Sequence, residues 1–231
     1  MGGYALWVAR RTGDVAKSIE LMLLRPRLTA GQCVAFCETA KQAHVAAVCV
    51  PPTHVARASA VLVGSDVKLV ALISHPFGTD LPSIKALAGR RALEDGAHEL
   101  EIVVDLAAFS SGDPNHVRDE LTRCIAEARE VRAEVLVRAV VETGAYDDRT
   151  LRLLVRAVVA AQVDMVVTSS GLVPEPDGTL DVELLREEVG AGVGVKAVRA
   201  VRGMDEVAEL IAAGATRVGV SSLDVFAEPQ R

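Results

Sequence analysis

VGVKAV, residues 193–198, is an apolar run of strand length with a single lysine inside it. The chain has only five lysines. Lys17, Lys41, Lys68 and Lys85 lie in or beside polar or helix-like stretches, whereas Lys196 sits between Val195 and Ala197. An ammonium buried in such a run costs several kcal/mol unless it is paired or neutralised. The run therefore predicts a buried strand whose lysine points at compensating groups.

Seven similar runs flank it: SIELML (18–23), AAVCV (46–50), VKLVALI (67–73), HELEIVV (98–104), EVLVRAVV (134–141), DMVVTS (164–169) and TRVGVS (216–221). Several are apolar on both faces, as parallel strands are when both sides of their sheet are covered. Helical periodicity fills the gaps, near 29–43, 53–62, 81–95, 114–131, 147–161, 181–189 and 204–213. Thr29 is placed to cap a helix whose Cys33, Phe36, Cys37 and Ala40 form one apolar stripe, Asp147 opens the fifth helix and Asp181 the sixth. Gly64, Gly96, Gly192 and Gly214 mark helix-to-strand joints. Strand and helix alternating over short connections give a parallel α/β architecture, and eight units in 231 residues fit a (β/α)8 TIM barrel. The expectation is one barrel domain over 1–231, with 1–17 as an N-terminal extension or helix. A doubly wound sheet is the runner-up. It is disfavoured because the only glycine-rich run, GAGVG at 190–194, precedes a strand instead of following one.

Composition narrows the partners. Half of the residues are apolar, only 3% are aromatic, and the formal net charge is −6. Such a field does not attract nucleic acid or an anionic membrane surface. No apolar run reaches the length of a membrane span, and the first residues lack the order of a signal peptide, so a cytoplasmic location is expected. Cys33, Cys37, Cys49 and Cys124 do not make a disulfide framework. Cys33 and Cys37, four apart on a helix, have no further Cys or His cluster to complete a metal site, so buried free thiols and no metal are expected.

In barrels of this kind the chemistry sits at the C-terminal ends of the strands. Two-residue alternation gathers a polar set there: Glu20 on the first strand, His75 after the third, Glu99 and Glu101 on the fourth, and Arg138 with Glu142 on the fifth. Thr168, Ser169 and Ser170 end the sixth strand, Lys196 lies on the seventh, and Ser221 and Ser222 end the eighth. Two readings of Lys196 stay open. It forms a structural ion pair with Glu101 or Glu142 while Arg138 takes the other, or it is a reactive amine whose pKa is lowered by desolvation or by Arg138.

The ordered set SIELMLLRP, CVPP, SHPFG, GAHELEIVVDLAAFSSGD, VVETGAYDD, VTSSG, VGVKAV and GATRVGVSS resembles the deoxyribose-phosphate aldolase family from about Ser18 to Ser222. The resemblance implies a (β/α)8 class I aldolase without cofactor, working as a homodimer, in which a lysine on the sixth strand forms a Schiff base. An acid on the fourth strand and a second lysine on the seventh assist it. That second lysine corresponds to Lys196, the acid to Glu101, one methylene longer than the family's aspartate, and an inward lysine of the fifth strand to Arg138. The Schiff-base position corresponds to Val167, which cannot form an imine. The family's D-H-T on the first strand reads Glu20-Leu21-Met22, and its asparagine after the second strand reads Pro51. Its phosphate-loop S-G-G reads Val198-Arg199-Ala200, while Ser221 and Ser222 persist, and His75 stands where an aromatic residue is usual.

The resemblance therefore implies a divergent enzyme acting on a small carbonyl compound, phosphorylated or not, by lysine and carboxylate chemistry. Lys196, Glu101, Arg138, Glu142 and His75 are the candidate catalytic residues. Glu20, Thr168, Ser169, Ser170, Arg199, Ser221 and Ser222 are the candidate substrate-binding residues. The alternative is a catalytically inactive aldolase-fold protein used for binding or assembly.

Overall fold

A computed structural model describes residues 15–174 and 178–226. Eight parallel strands close in sequence order into a barrel: β1 (Ile19–Met22), β2 (Ala47–Val50), β3 (Lys68–Ile73), β4 (Glu99–Val103), β5 (Leu136–Val140), β6 (Met165–Val167), β7 (Gly194–Val198) and β8 (Arg217–Val220). The helices between them are α1 (Ala30–Gln42), α2 (Val55–Leu62), α3 (Pro82–Glu94), α4 (Leu106–Ser110), α5 (Pro114–Val131), α6 (Asp148–Ala160), α7 (Leu180–Val189) and α8 (Met204–Ala212). Closure is completed by β1 pairing with β8, so no strand edge is left open. Among the described residues no helix is long and apolar enough to cross a membrane. The expected N-terminal extension lies outside the described residues, apart from the helical Val15 and Ala16 and the turn at Lys17.

Local chemistry explains the helix starts. Thr29 and Gln32 form a reciprocal capping box on α1, and Asp147 accepts the Thr150 amide at the start of α6. The stripe of α1 buries Cys33, Cys37 and Ala40 against the strands. Asp181 does not cap α7. Thr179 holds the cap position, and Asp181, two residues further on in the first turn, is buried and accepts the Thr143 hydroxyl at 2.8 Å. The joint before β7 also differs: the positive φ falls at Gly190, not Gly192. The short α4 was not anticipated; its start is fixed by Asp105, which accepts the Ala108 amide.

Two cores result. The outer one lies between strands and helices. The inner one, on the barrel axis, comprises Met22, Ala47, Cys49, Val70, Leu72, Val103, Val140, Val167 and Val198. One charged pair is embedded outside the barrel, where Lys85 on α3 meets Glu120 on α5 at 2.5 Å with both side chains buried. Lys85 also donates to the Val103 carbonyl, and Glu120 accepts the Asp105 amide. This pair anchors the end of β4.

Candidate functional site

Lys196 is the hub of a charge cluster on the barrel axis. Its ammonium contacts Glu20 Oε1 and lies 2.7 Å from Glu101 Oε2. Arg138 reaches Glu20 Oε2 at 2.6 Å and Glu101 Oε2 at 3.3 Å, and also contacts Glu99. Arg217 completes the set, 3.2 Å from Glu20 and 3.1 Å from Glu99. Three carboxylates thus face three cations, and such balance is what makes charges tolerable inside a low-dielectric core. Gly219 makes room for it: a Cβ there would lie 2.9 Å from Lys196 Cε and 2.7 Å from Met22 Sδ.

Burial and charge pull each group in opposite senses. Desolvation alone would raise the Glu20 carboxyl, but Arg138, Lys196 and Arg217 together hold it well below the usual carboxylate range. At Glu101 burial prevails over Lys196, and the neighbouring Glu20 adds to it, pushing this carboxyl up to about 7. Burial works to lower the Lys196 ammonium, yet Glu101 and Glu20 reverse the effect and raise it above the ordinary lysine range. Lys196 is therefore protonated at neutral pH, and a protonated amine is no nucleophile.

An apolar layer lies one step nearer the mouth. Met22 follows Glu20 by two residues, Val103 follows Glu101, Val140 follows Arg138 and Val198 follows Lys196, each on the same inward face. Val167 joins this layer at the end of β6, in register with Lys196 and Val140. Lys196, Glu20, Glu101, Arg138 and Val167 have no exposed surface.

The remaining candidates sit above this layer or away from the axis. Glu142 does not share the inward face with Arg138. Its φ of 50° turns it out of the strand, and its carboxylate accepts the Ser170 amide at 2.7 Å and the Ser169 hydroxyl at 3.1 Å. Of the two expected partners of Lys196 and Arg138, Glu101 is in place, whereas Glu142 is not and Glu20 stands in its stead. Thr168 accepts the Val198 amide at 2.9 Å, tying β6 to β7. His75 lies at the mouth, with Nε2 3.3 Å from the Ser170 carbonyl, and is not part of the charge cluster. Arg199 contacts the Gly178 carbonyl and pairs with Asp181 at 2.7 Å. Ser221 and Ser222 are exposed, and Ser222 accepts the Asp224 amide.

Sequence reasoning missed Arg217 and left Glu99 outside the site. The same alternation that selected Lys196 places Arg217 on the inward face of β8, directly in register with Lys196. Glu20, Cys49 and Glu101 bring ligand-type atoms within 4.8 Å of one another. In this arrangement Lys196 and Arg138 already supply the positive charge that a metal ion would bring there.

Fold and site together define a (β/α)8 barrel with a lysine and carboxylates gathered on its axis. No family model matches the chain. It is 36% identical over 209 residues to the deoxyribose-phosphate aldolase of Geobacillus sp. (strain WCH70), covering 90% of this chain and 92% of that one. Identity is 38% over 206 residues to the enzyme of that name from Streptococcus gordonii, covering 89% and 92%. Among solved structures, the aldolase QR15 superposes with a TM-score of 0.86 at 30% identity, covering 92% and 94%. The tetrameric deoxyribose phosphate aldolase from Aeropyrum pernix gives 0.84 at 28%, covering 91% and 88%. The chain belongs to the deoxyribose-phosphate aldolase family.

Proposed function

We propose that this chain acts on a small carbonyl compound by proton transfer at Glu101 and Lys196, in the aldol or retro-aldol class, without an imine. The observation that carries this reading is the state of Glu101. One of its oxygens holds Lys196, while the other, Oε1, is buried and without a hydrogen-bond partner. A carboxyl near 7 beside a protonated lysine is matched to acid–base work at neutral pH. Lys196 would donate its proton to the carbonyl oxygen, and Glu101 Oε1 would take the proton from the adjacent carbon, leaving an enol. Val167, at the position the family resemblance gives to the Schiff-base lysine, accounts for the change of mechanism.

Closure of the axis favours a second reading, a catalytically silent aldolase-fold protein used for binding or assembly. By the family resemblance, glutamate for aspartate and arginine for lysine enlarge three inward side chains, and they fill the space around Lys196. A screen of small carbonyl compounds in D2O, read by NMR beside borohydride trapping and intact mass, separates the two. Deuterium uptake next to the carbonyl without a trapped adduct is expected. An adduct on Lys196 overturns the imine-free mechanism, and absence of any exchange or turnover supports the silent barrel.

A further inference from the structure

Strands β3 and β6 are not neighbours, since β4 and β5 stand between them. Even so, His75, in the loop after β3, touches the carbonyl of Ser170, in the loop after β6. The contact therefore spans the mouth. At this end of the barrel the inner face carries Val103, Val140 and Val167, in register on β4, β5 and β6 and one step nearer the mouth than the charge cluster.

The β3 loop is shaped to lie down over β4. Gly78 comes so close to the end of that strand that a Cβ would fall 2.1 Å from the Val104 carbonyl oxygen. The loop turns at Ser74 and at Gly78, whose φ values are 62° and 68°, and the Gly78 amide donates to the Ser74 carbonyl at 2.8 Å. On the far side, Ser170 is held by Glu142. The loop is thus a self-contained turn, resting on β4 and reaching a fixed point on β6. Phe77, in its middle, is exposed instead of packing inward.

We propose that residues 74–78 form a cover over the barrel mouth, latched by His75 on the Ser170 carbonyl, and that release of this latch opens the apolar layer of Met22, Val103, Val140, Val167 and Val198 to a small carbonyl compound on its way to Glu101 and Lys196. The nature of the admitted compound rests on the function proposed above, whereas the latch itself does not. Cys49 provides a readout that needs no turnover. It lies on the inner face of β2, close to Glu20 and Glu101, while Cys33, Cys37 and Cys124 belong to the outer core.

The test is the rate of modification of each cysteine by methyl methanethiosulfonate, followed by peptide mapping. In His75→Ala the Cys49 rate should rise about 5-fold, as loss of one hydrogen bond shifts a local opening equilibrium, with the other three cysteines unchanged. His75→Gln, which keeps a donor for the carbonyl, should stay near the wild-type rate. Gly78→Ala should also raise the Cys49 rate, by lifting the loop from Val104, and it serves if His75→Ala does not fold. An unchanged Cys49 rate in a folded His75→Ala or Gly78→Ala protein, or a rise shared by all four cysteines, overturns the proposal. A selective rise in a protein that turns over nothing leaves the latch standing and removes the catalytic reading alone.

Discussion

Lys196 and Glu20 are 176 positions apart in the chain and in direct contact on the barrel axis, although β8 lies between their strands. The contact bridges strands that share no hydrogen bonds, so it constrains barrel closure in a way the ladder does not. Together with Glu101, the stronger influence, Glu20 also keeps the lysine protonated, on which every chemical reading of the site depends.

Lys196→Met keeps much of the stem volume and removes the charge. Glu20 and Glu101 then lose their shared partner, and a loss of about 3–5 kcal/mol is expected in chemical denaturation. Adding Glu101→Gln should recover a substantial part of it, because one of the stranded charges disappears. A Lys196→Met protein as stable as the wild type would show that the pairing contributes nothing.

The pH dependence of stability separates the two carboxylates. Glu101 is raised from 4.5 to about 7 in the folded protein, so its contribution is fully present below about 4.5 and is lost as pH rises through 7. The lost amount is roughly 3 kcal/mol. Glu20 is depressed, so its contribution is present above 4.5 and is lost as pH falls below that value. Urea denaturation at pH 5, 6, 7 and 8 should therefore show the wild type losing stability relative to Glu101→Gln as pH rises. A constant difference across this range would mean that Glu101 titrates elsewhere.

Gly219→Ala would place a methyl group against Lys196 Cε, Met22 Sδ and Val198 Cγ2 at 2.9, 2.7 and 2.9 Å. All three are side-chain atoms and can shift in part, so a loss of about 1–3 kcal/mol is expected, the usual range for overpacking. Thermal unfolding followed by circular dichroism measures it. No change in midpoint would show that the space around the lysine stem is slack.

Val167→Lys puts an amine at the end of β6, in register with Lys196. The ammonium of Lys196 should depress the new pKa and free part of the amine at neutral pH. Incubation with a small aldehyde and borohydride should then give an adduct at residue 167, read by intact mass and peptide mapping. A folded variant that traps nothing would mean that the remaining pocket cannot admit an aldehyde.

Much of the barrel was legible because its strands are apolar on both faces and its helices carry explicit starts such as Thr29 and Asp147. The fourth-strand pair Glu99 and Glu101 was also legible as one inward face. Alternation failed at Glu142, since the strand ends at Val140 and the chain turns into a left-handed conformation that no residue pattern announced. Asp181 looked like a cap because an acid before an apolar run has that appearance, and only the packing of Thr143 and Arg199 reveals its other use. Lys85 gave no sign of burial, because its partner Glu120 lies on another helix 35 positions away. Of the partners of Lys196, Glu101 was legible as a pairing option, whereas Glu20 was assigned to the substrate, and Arg217, which shares Glu20, was passed over.

The order in which the charges of the axis are synthesised has a consequence for folding. Glu20, Glu99 and Glu101 emerge first and are met only by Arg138, whereas Lys196 and Arg217 arrive with the final two strands. Any chain that stops before β7 would have to enclose three carboxylates against a single guanidinium, an imbalance that opposes closure around them. Completion of the polypeptide and neutralisation of its interior are thus one event. A truncated product would have its own acids working against closure.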